Sequence, residues 1–186
     1  MSSNDKEIII ETVARAFSQS PRLLSIMKDG DKERRLRIMA EYAYHLVSKF
    51  DGIYLSEDKT TVLMYWTKKQ YKRDLIDLYR YLTMFFKCIK PGKAISTMKR
   101  EKLVESLRPD LPDYIYVWVL GQNPEKTSLR GLADIRDHLF GISEEKNLPI
   151  LIETTVEKVL KLYKYVGFDI YNEWYDETIN MPVWFL

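Results

Sequence analysis

The sequence predicts an α/β fold (α+β in some schemes) with a mixed central sheet, flanking helices and a helix-rich N-terminal half. Two observations predict it. Residues 1–110 contain mainly amphipathic helical patterns around one β-hairpin. Residues 111–186 alternate between apolar strand-like runs and helical patterns in the order β-α-β-α-β-β, which implies parallel strands joined by a crossover helix. We expect a single domain over residues 1–186.

The first half opens with three helical segments. Apolar residues recur at helical spacing from Ile9 to Phe17. Ser20-Pro21 is a suitable N-cap and first-turn pair for a short second helix. A third, long amphipathic helix is predicted from Asp31 to Phe50, with an apolar stripe on one face and charged residues on the other.

A β-hairpin and two more helices complete this half. Ile53–Leu55 and Thr60–Trp66 are rich in β-branched and aromatic residues, and the polar residues 56–59 between them read as a turn. The segment from Arg73 to Ile89 has a helical pattern, and Pro91-Gly92 separates it from a second helix that ends near Leu107.

The second half alternates strands and helices. Tyr114–Leu120 is a continuous apolar run, typical of a strand buried on both faces. Gly167 follows a helical pattern as a C-cap residue would. The remaining predicted elements are a helix over 128–145, a strand over 149–154, a helix over 156–165, and two closing strands over 168–174 and 181–186.

Composition excludes several classes of protein. The 29 basic and 27 acidic residues leave a net charge of only +2, unlike that of a dedicated nucleic-acid binder. Two histidines and the single Cys88 argue against a zinc site. The longest apolar runs fall short of the ~20 residues that span a membrane, and the N-terminus Met1–Lys6 is polar, unlike a secretory signal. We therefore expect a cytoplasmic protein without a metal, a membrane or a nucleic acid as partner.

The end of the first buried strand is the candidate ligand site. Parallel strands bind ligands at their carboxyl ends, and Leu120 is followed there by a loop and a helix that begins near Ser128. The first turn of a helix has unpaired N–H groups that favour a phosphate, and Gly131 and Ala133 are small enough for a close approach. Arg130 adds a positive charge. Small residues at a helix start also occur without any ligand.

Four blocks in this half resemble the GNAT superfamily of acyl-CoA N-acyltransferases. They are Gly121-Gln122-Asn123-Pro124-Glu125, Ser128-x-x-Gly131-x-Ala133, Pro149–Thr154 with its Glu153-Thr154 end, and Leu162-Tyr163-x-x-x-Gly167-Phe168. The resemblance covers Tyr114–Trp174, and the first half is also similar through Ala16-Phe17 to Pro21 and the hairpin. It implies a GNAT-like sheet whose parallel strands splay apart, in a chain that carries its coenzyme A site within 111–186.

The resemblance also implies an activity and its residues. The chain would be an acetyl-CoA-dependent N-acetyltransferase in which the amine attacks directly, with a small-molecule or peptide amine as acceptor. Tyr163 would be the general acid, and Glu153 a candidate base. The donor would lie against the strand end and the helix start, at Val119, Leu120, Gly121, Ser128, Leu129, Arg130, Gly131, Leu132 and Ala133.

Each of these roles has a structural alternative. Tyr163 is one of 13 tyrosines and lies on a helix that packs against a sheet. Glu153 could be a solvated strand end or a partner of the next helix N-cap. His138 and His45 lie on helices and are expected to have packing or surface roles.

The match is divergent at the pyrophosphate loop. Ser128 stands where the family has Gln or Arg, and the alignment needs one extra residue after Pro124. A catalytically inactive GNAT-like binding or regulatory module is therefore the alternative function. A homodimer that uses the helical first half is left open.

Overall fold

The structure is a computed structural model that describes residues 3–186. Within those residues it confirms the predicted fold class, because seven α-helices flank a six-stranded mixed sheet. Met1 and Ser2, at the start of the polar N-terminus, lie outside the described residues. None of the helices within 3–186 has the length and apolar character needed to cross a membrane.

The elements follow the predicted order closely. The helices are α1 (Ser3–Phe17), α2 (Pro21–Ile26), α3 (Lys32–Ser48), α4 (Leu75–Cys88), α5 (Ala94–Ser106), α6 (Leu129–Lys146) and α7 (Glu157–Tyr165). The strands are β1 (Ile53–Leu55), β2 (Thr61–Thr67), β3 (Ile115–Gln122), β4 (Ile150–Thr154), β5 (Asn172–Asp176) and β6 (Met181–Phe185). The sheet order is β1-β2-β3-β4-β6-β5, and β3 and β4 form its parallel pair.

Helices cover both faces of the sheet. Successive side chains of a strand point to opposite faces, so each face packs against its own set of helices. On one face, Met64 and Tyr116 pack in a cluster with residues of α1 and α3. On the other face, Val117 and Ile152 pack in a cluster with residues of α6 and α7. The side chains on the two faces of the sheet centre therefore belong to two separate hydrophobic clusters.

Local signals in the sequence identified several helix ends. The Ser20 hydroxyl accepts a hydrogen bond from the Leu23 N–H at 3.3 Å, as expected of an N-cap. Gly167 follows α7 with φ +105°, a backbone conformation that side-chain-bearing residues rarely adopt. Cys88 is buried in the cluster that α4 forms with α3, as its place on an apolar face predicts.

Two features of the structure are not evident from the sequence pattern. Several apolar residues of α4 do not face the core: Leu75, Tyr79 and Phe86 are 84%, 71% and 70% exposed, because the helix turns Phe85 and Cys88 toward α3 instead. The predicted strand 168–174 begins only at Asn172, since Phe168 turns inward and its ring packs 5.8 Å from that of Tyr163.

Substitution of glycine by alanine should have opposite effects on stability at Gly52 and at Gly141. A Cβ on Gly52 would lie 1.8 Å from the Tyr65 carbonyl oxygen, whereas a Cβ on Gly141 would contact nothing within 4 Å. We expect Gly52→Ala to lower the free energy of unfolding by roughly 1–3 kcal/mol through steric overlap. Gly141→Ala, in an exposed turn of α6, should raise it by roughly 0.5–1 kcal/mol. Urea unfolding measures both, and a stable Gly52→Ala protein would contradict the position of β1 against β2.

Candidate functional site

The parallel strands β3 and β4 separate in the middle of the sheet. They pair at Ile115–Ile150, Tyr116–Leu151 and Val117–Ile152, and no further. Beyond that point β3 continues beside β2, while Glu153 and Thr154 of β4 pair with β6. Alternate backbone groups of β3 therefore face a gap instead of a neighbouring strand. We call this opening the strand gap.

A β-bulge marks the start of the strand gap. Met64 of β2 faces Val119, and the next residue, Tyr65, faces Val117, so Trp118 has no opposite residue in β2. A bulge bends its strand and disrupts the ladder locally. Here it lies directly after Val117, the last residue that pairs with β4. The sequence shows only a continuous apolar run at this position.

The predicted thioester-facing residues lie in β3 beyond the bulge. Val119 is buried in the cluster on the α1 and α3 face, and Leu120 packs on the opposite face. Gly121 is buried against α1, where a Cβ would lie 2.9 Å from the Cβ of Ala16. All three belong to the part of β3 that pairs on one side only.

Tyr163, in α7, packs on the sheet face that α6 and α7 cover. Its ring belongs to the same buried cluster as Val117 and Ile152, the last paired residues of the two strands. Burial raises the pKa of Tyr163, so its hydroxyl stays protonated at neutral pH. A protonated hydroxyl is what a proton donor requires. The predicted role as general acid stays a prediction.

Glu153 lies on the other face of the sheet. It follows Ile152 by one residue, and its Oε1 accepts a hydrogen bond from the Tyr116 hydroxyl at 2.9 Å. Tyr116 and Leu151 belong to the cluster on the α1 and α3 face. Glu153 and Tyr163 therefore lie on opposite faces of the sheet.

Arg108 holds Glu153, a contact that the sequence analysis missed. Its Nη2 lies 3.2 Å from Glu153 Oε1, and its guanidinium stacks 3.7 Å from the centroid of the Tyr116 ring. Burial opposes the charge on Arg108, but the fields of Tyr116 and Glu153 outweigh it and raise the Arg108 pKa. All three hydrogen bonds to Glu153 from these two residues reach Oε1, which leaves Oε2 as the oxygen available to a substrate.

The predicted pyrophosphate loop contacts a carboxylate of the same chain. Ser128 is the N-cap of α6: its hydroxyl accepts from the Gly131 N–H at 3.1 Å and donates to Asp58. The other oxygen of Asp58 accepts from the hydroxyls of Ser56 and Thr60, at 2.7 Å and 2.8 Å. We call Ser56, Asp58, Thr60 and Ser128 the Asp58 cluster. It joins the β1–β2 turn to the start of α6.

The Asp58 cluster keeps its carboxylate ionised. Burial opposes that charge, but the hydrogen bonds from Ser128, Ser56 and Thr60 outweigh burial and lower the pKa of Asp58. An anion near a helix N-terminus is also favoured by the helix dipole. The chain thus supplies its own anion at the place where the resemblance expects a pyrophosphate.

Gly131 is small for a structural reason. A Cβ there would lie 2.5 Å from Thr60 Oγ1 and 2.9 Å from Asp58 Oδ1. Leu132 and Ala133 follow inside the helix and are half-buried. The first-turn N–H groups of Leu129 and Arg130 have no intrahelical acceptor and could still donate to a ligand. Arg130 forms an exposed ion pair with Glu57 at 3.2 Å, so a diphosphate would meet two carboxylates here.

The two histidines do not join the site. His138 stacks on Tyr54 with ring centroids 3.7 Å apart, and His45 lies beside Tyr44 on α3. Within residues 3–186 there is no group of three or more His, Cys, Asp or Glu side chains that could hold a metal ion.

Solved structures share this architecture over almost the whole chain. A Corynebacterium glutamicum protein described as histone acetyltransferase HPA2 and related acetyltransferase has a TM-score of 0.64 and 15% identity, over 99% of this chain and 92% of that one. The C-terminal condensation domain of Ebony, in complex with β-alanyl-dopamine, has a TM-score of 0.61 and 10% identity, over 100% and 95%. The Drosophila melanogaster polyamine N-acetyltransferase has a TM-score of 0.54 and 12% identity, over 100% and 96%.

The chain has the GNAT fold. No protein-family model matches the sequence, and no curated protein matches it either. At 10–15% identity the structural likeness concerns the fold alone. The strand gap and the bulge are observed in this chain, whereas the roles of residues 128–133 and of Tyr163 remain predictions.

The Asp58 cluster predicts a pH-dependent contribution to stability. An unfolded Asp has a pKa of about 3.9, and the folded pKa of Asp58 is lower. The cluster therefore stabilises the fold above pH ~4 and loses its effect as the pH falls through the folded pKa. We expect Asp58→Asn to be destabilised at pH 7, with a difference from wild type that shrinks below pH ~4 in urea unfolding. A difference that stays constant with pH would contradict an ionised Asp58.

Loss of the N-cap should have a smaller effect. Ser128→Ala removes the hydroxyl that joins Asp58 to the Gly131 N–H, and should cost about 1 kcal/mol of unfolding free energy. Ser48→Ala, at the exposed end of α3, is the matched control and should change stability by less than about 0.5 kcal/mol.

Proposed function

We propose that the chain is an N-acyltransferase that transfers an acyl group from coenzyme A, acetyl in the simplest case, to an amine. The observation that supports the proposal is the strand gap in a sheet that carries Tyr163 on one face and Glu153 on the other. The compared structures support an amine acceptor, because one is named for polyamines and another contains β-alanyl-dopamine, an N-acylated amine. A small-molecule or peptide amine in the cytoplasm remains the proposed acceptor.

The proposed reaction is a direct transfer across the strand gap. The amine attacks the thioester carbonyl, the new C–N bond forms, and the C–S bond breaks. Backbone N–H groups of β3 between Trp118 and Gly121 would donate to the carbonyl oxygen as negative charge develops on it. This arrangement needs no covalent enzyme intermediate.

The attacking nitrogen loses two protons in this reaction, one before attack and one after the C–N bond forms, and the departing sulfur gains one. Tyr163, protonated at neutral pH, would donate a proton to the thiolate at close range, and the second proton lost from nitrogen would return to Tyr163 through solvent. The attacking ammonium loses a proton first, and Glu153 Oε2 is the candidate acceptor. Because Arg108 and Tyr116 both bind Oε1, they orient Glu153 with Oε2 free for this contact.

A catalytically inactive binding module is the second candidate. The Asp58 cluster favours it, because a carboxylate already lies at the helix start where the pyrophosphate of a donor would bind. The two candidates differ in turnover and in the affinity for acetyl-CoA.

Substitution of Tyr163 tests catalysis. We expect Tyr163→Phe to lower kcat by about 10²-fold or more, because it removes the proton donor while it retains the buried ring. Tyr165→Phe is the matched control on the same helix, since Tyr165 is 88% exposed and should leave kcat unchanged. The measurement is thiol release from acetyl-CoA over a panel of amines. Equal rates for the two variants would contradict the role of Tyr163, and absence of turnover with any amine would favour the inactive module.

Binding experiments test the donor site separately. Acetyl-CoA at ~100 times its dissociation constant should add about 2.7 kcal/mol of stability, a rise in Tm of roughly 5–10 °C. Acetyl-pantetheine, which lacks the diphosphate, separates the strand gap from the helix start. Glu57→Gln removes one carboxylate and frees Arg130, so it should tighten acetyl-CoA binding by about fivefold and leave acetyl-pantetheine binding unchanged.

The control for this experiment lies on the same helix. Glu144→Gln, near the other end of α6, removes the same charge far along the helix and should change neither affinity. If Glu57→Gln has no effect on acetyl-CoA, the diphosphate does not contact the start of α6.

A further inference from the structure

A small polar cavity lies outside the strand gap, where α2, α5 and the β5–β6 hairpin meet. Three cationic side chains line it, those of Arg22, Lys93 and Arg100. Hydroxyl groups form much of the rest, from Ser25, Ser96, Thr97 and Thr178. Because the cavity joins three separate elements, no single stretch of sequence indicates it. We call it the Arg22 cavity.

Thr97 has an unused hydroxyl in this cavity. The residue is only 5% exposed, and within residues 3–186 its Oγ1 is buried without a hydrogen-bond partner. A buried hydroxyl without a partner costs about 1–3 kcal/mol, so proteins rarely retain one without reason. By contrast, the Thr178 hydroxyl donates to Asp176, and the hydroxyls of Ser25 and Ser96 donate to helix carbonyls. Thr97 is thus the donor left for a ligand.

The side chains that line the cavity carry more positive charge than ion pairs with carboxylates compensate. Arg100 forms a buried ion pair with Asp176 and stacks on Trp174 at 5.5 Å. For Arg22 and Lys93, the structure shows no ion pair with any residue of 3–186. Two positive charges therefore remain beside one neutral ion pair.

The pKa of Arg22 is lowered by burial and, in part, by this excess of positive charge. Partial burial, and next the field of Arg100, lower the Arg22 pKa to about 10, and the fields of Glu101, Asp176 and Glu153 compensate only in part. A half-buried cation of this kind gains from a bound anion, because the anion replaces lost hydration and offsets the repulsion from Arg100.

We propose that the Arg22 cavity binds a doubly charged oxyanion, either inorganic phosphate or a phosphate monoester. Two uncompensated cations match two negative charges, and a guanidinium can donate two parallel hydrogen bonds to a phosphate. Thr97 Oγ1 would donate a further hydrogen bond to a third oxygen. The proposal requires no acyl transfer and stands apart from the proposed function.

The cavity must open slightly to admit such an anion. Its volume is about 10 Å³, room for one water molecule. Two rim residues are exposed to solvent, Lys93 in the turn before α5 and Ser96 in the first turn of α5. An opening to solvent also leaves space for the organic part of a phosphate monoester.

Calorimetric titration of the full chain with inorganic phosphate tests the proposal. The titration uses a phosphate-free buffer, with chloride as the competing salt at constant ionic strength. We expect wild type to bind phosphate, and Arg22→Gln and Thr97→Val each to weaken binding, by at least tenfold for Arg22→Gln. Lys32→Gln, which removes an exposed cation of α3 outside the cavity, is the matched control and should bind as wild type does. Equal binding by wild type and Arg22→Gln, or no binding by wild type, overturns the proposal.

Thermal unfolding without phosphate separates a binding role from a structural one. If Arg22 serves a ligand, Arg22→Gln should melt at the wild-type temperature or above it, because the variant removes a cation that faces Arg100. A clear fall in Tm without phosphate would show that Arg22 stabilises the fold itself, and would overturn the assignment of its charge to a ligand.

Two phosphate compounds distinguish the source of the anion. O-phosphoethanolamine carries a phosphate monoester and an amine, and ethanolamine carries the amine alone. Tighter binding of O-phosphoethanolamine than of phosphate, with no binding of ethanolamine, supports a phosphorylated metabolite as ligand. Equal affinity for phosphate and O-phosphoethanolamine supports free phosphate. Binding of ethanolamine as tight as that of its phosphate ester would overturn an anion site.

Discussion

The separation of β3 from β4 is the constraint on which the rest of the molecule depends. The backbone of Ile152 exchanges two hydrogen bonds, each of 2.9 Å, with Leu186 on one side, while β3 lies on its other side. One residue later, β4 has only β6 as a partner, and the bulge at Trp118 interrupts the regular pairing of β3 with β2. An interior opening in a sheet exposes backbone donors without exposing an edge to solvent, which suits a site that must bind an extended ligand and stabilise a developing charge.

The start of α6 shows how one structural need can be met in two ways. Unpaired N–H groups and the helix dipole require an anion or an acceptor at this position, and either a ligand or the protein itself can supply it. Here Ser128 and Asp58 satisfy it within the chain, and Gly131 is small because the β1–β2 turn lies against it. Internal satisfaction stabilises the ligand-free protein. The same contact lowers the free energy that a diphosphate could gain, so stability and donor affinity oppose each other at this helix.

Local sequence patterns predicted the structural features that depend only on residues close together in the chain. The helical stripes, the Ser20 cap, Gly167 and the order of strands were read correctly, and the four blocks from Gly121 to Phe168 led to the GNAT fold. Contacts between distant positions could not be read: Asp58 with Ser128, Arg108 with Glu153, and the bulge at Trp118. The exposure of several apolar residues of α4 could not be predicted for the same reason, since periodicity identifies an apolar face but not whether another element packs on it. Residue roles at the site therefore needed the fold first.

The positions of the reactive side chains favour a direct transfer over a covalent intermediate. An acyl-enzyme needs an accessible nucleophile, and the natural one for a thioester is a thiolate. The single cysteine, Cys88, is buried against α3, and burial raises its pKa to about 11, so it is neither ionised nor accessible at neutral pH. Tyr163 and Glu153 instead lie on opposite faces of the sheet. In the proposed reaction, donor and acceptor would therefore enter from different sides and meet between the strands, so both would have to be bound together before a proton is transferred.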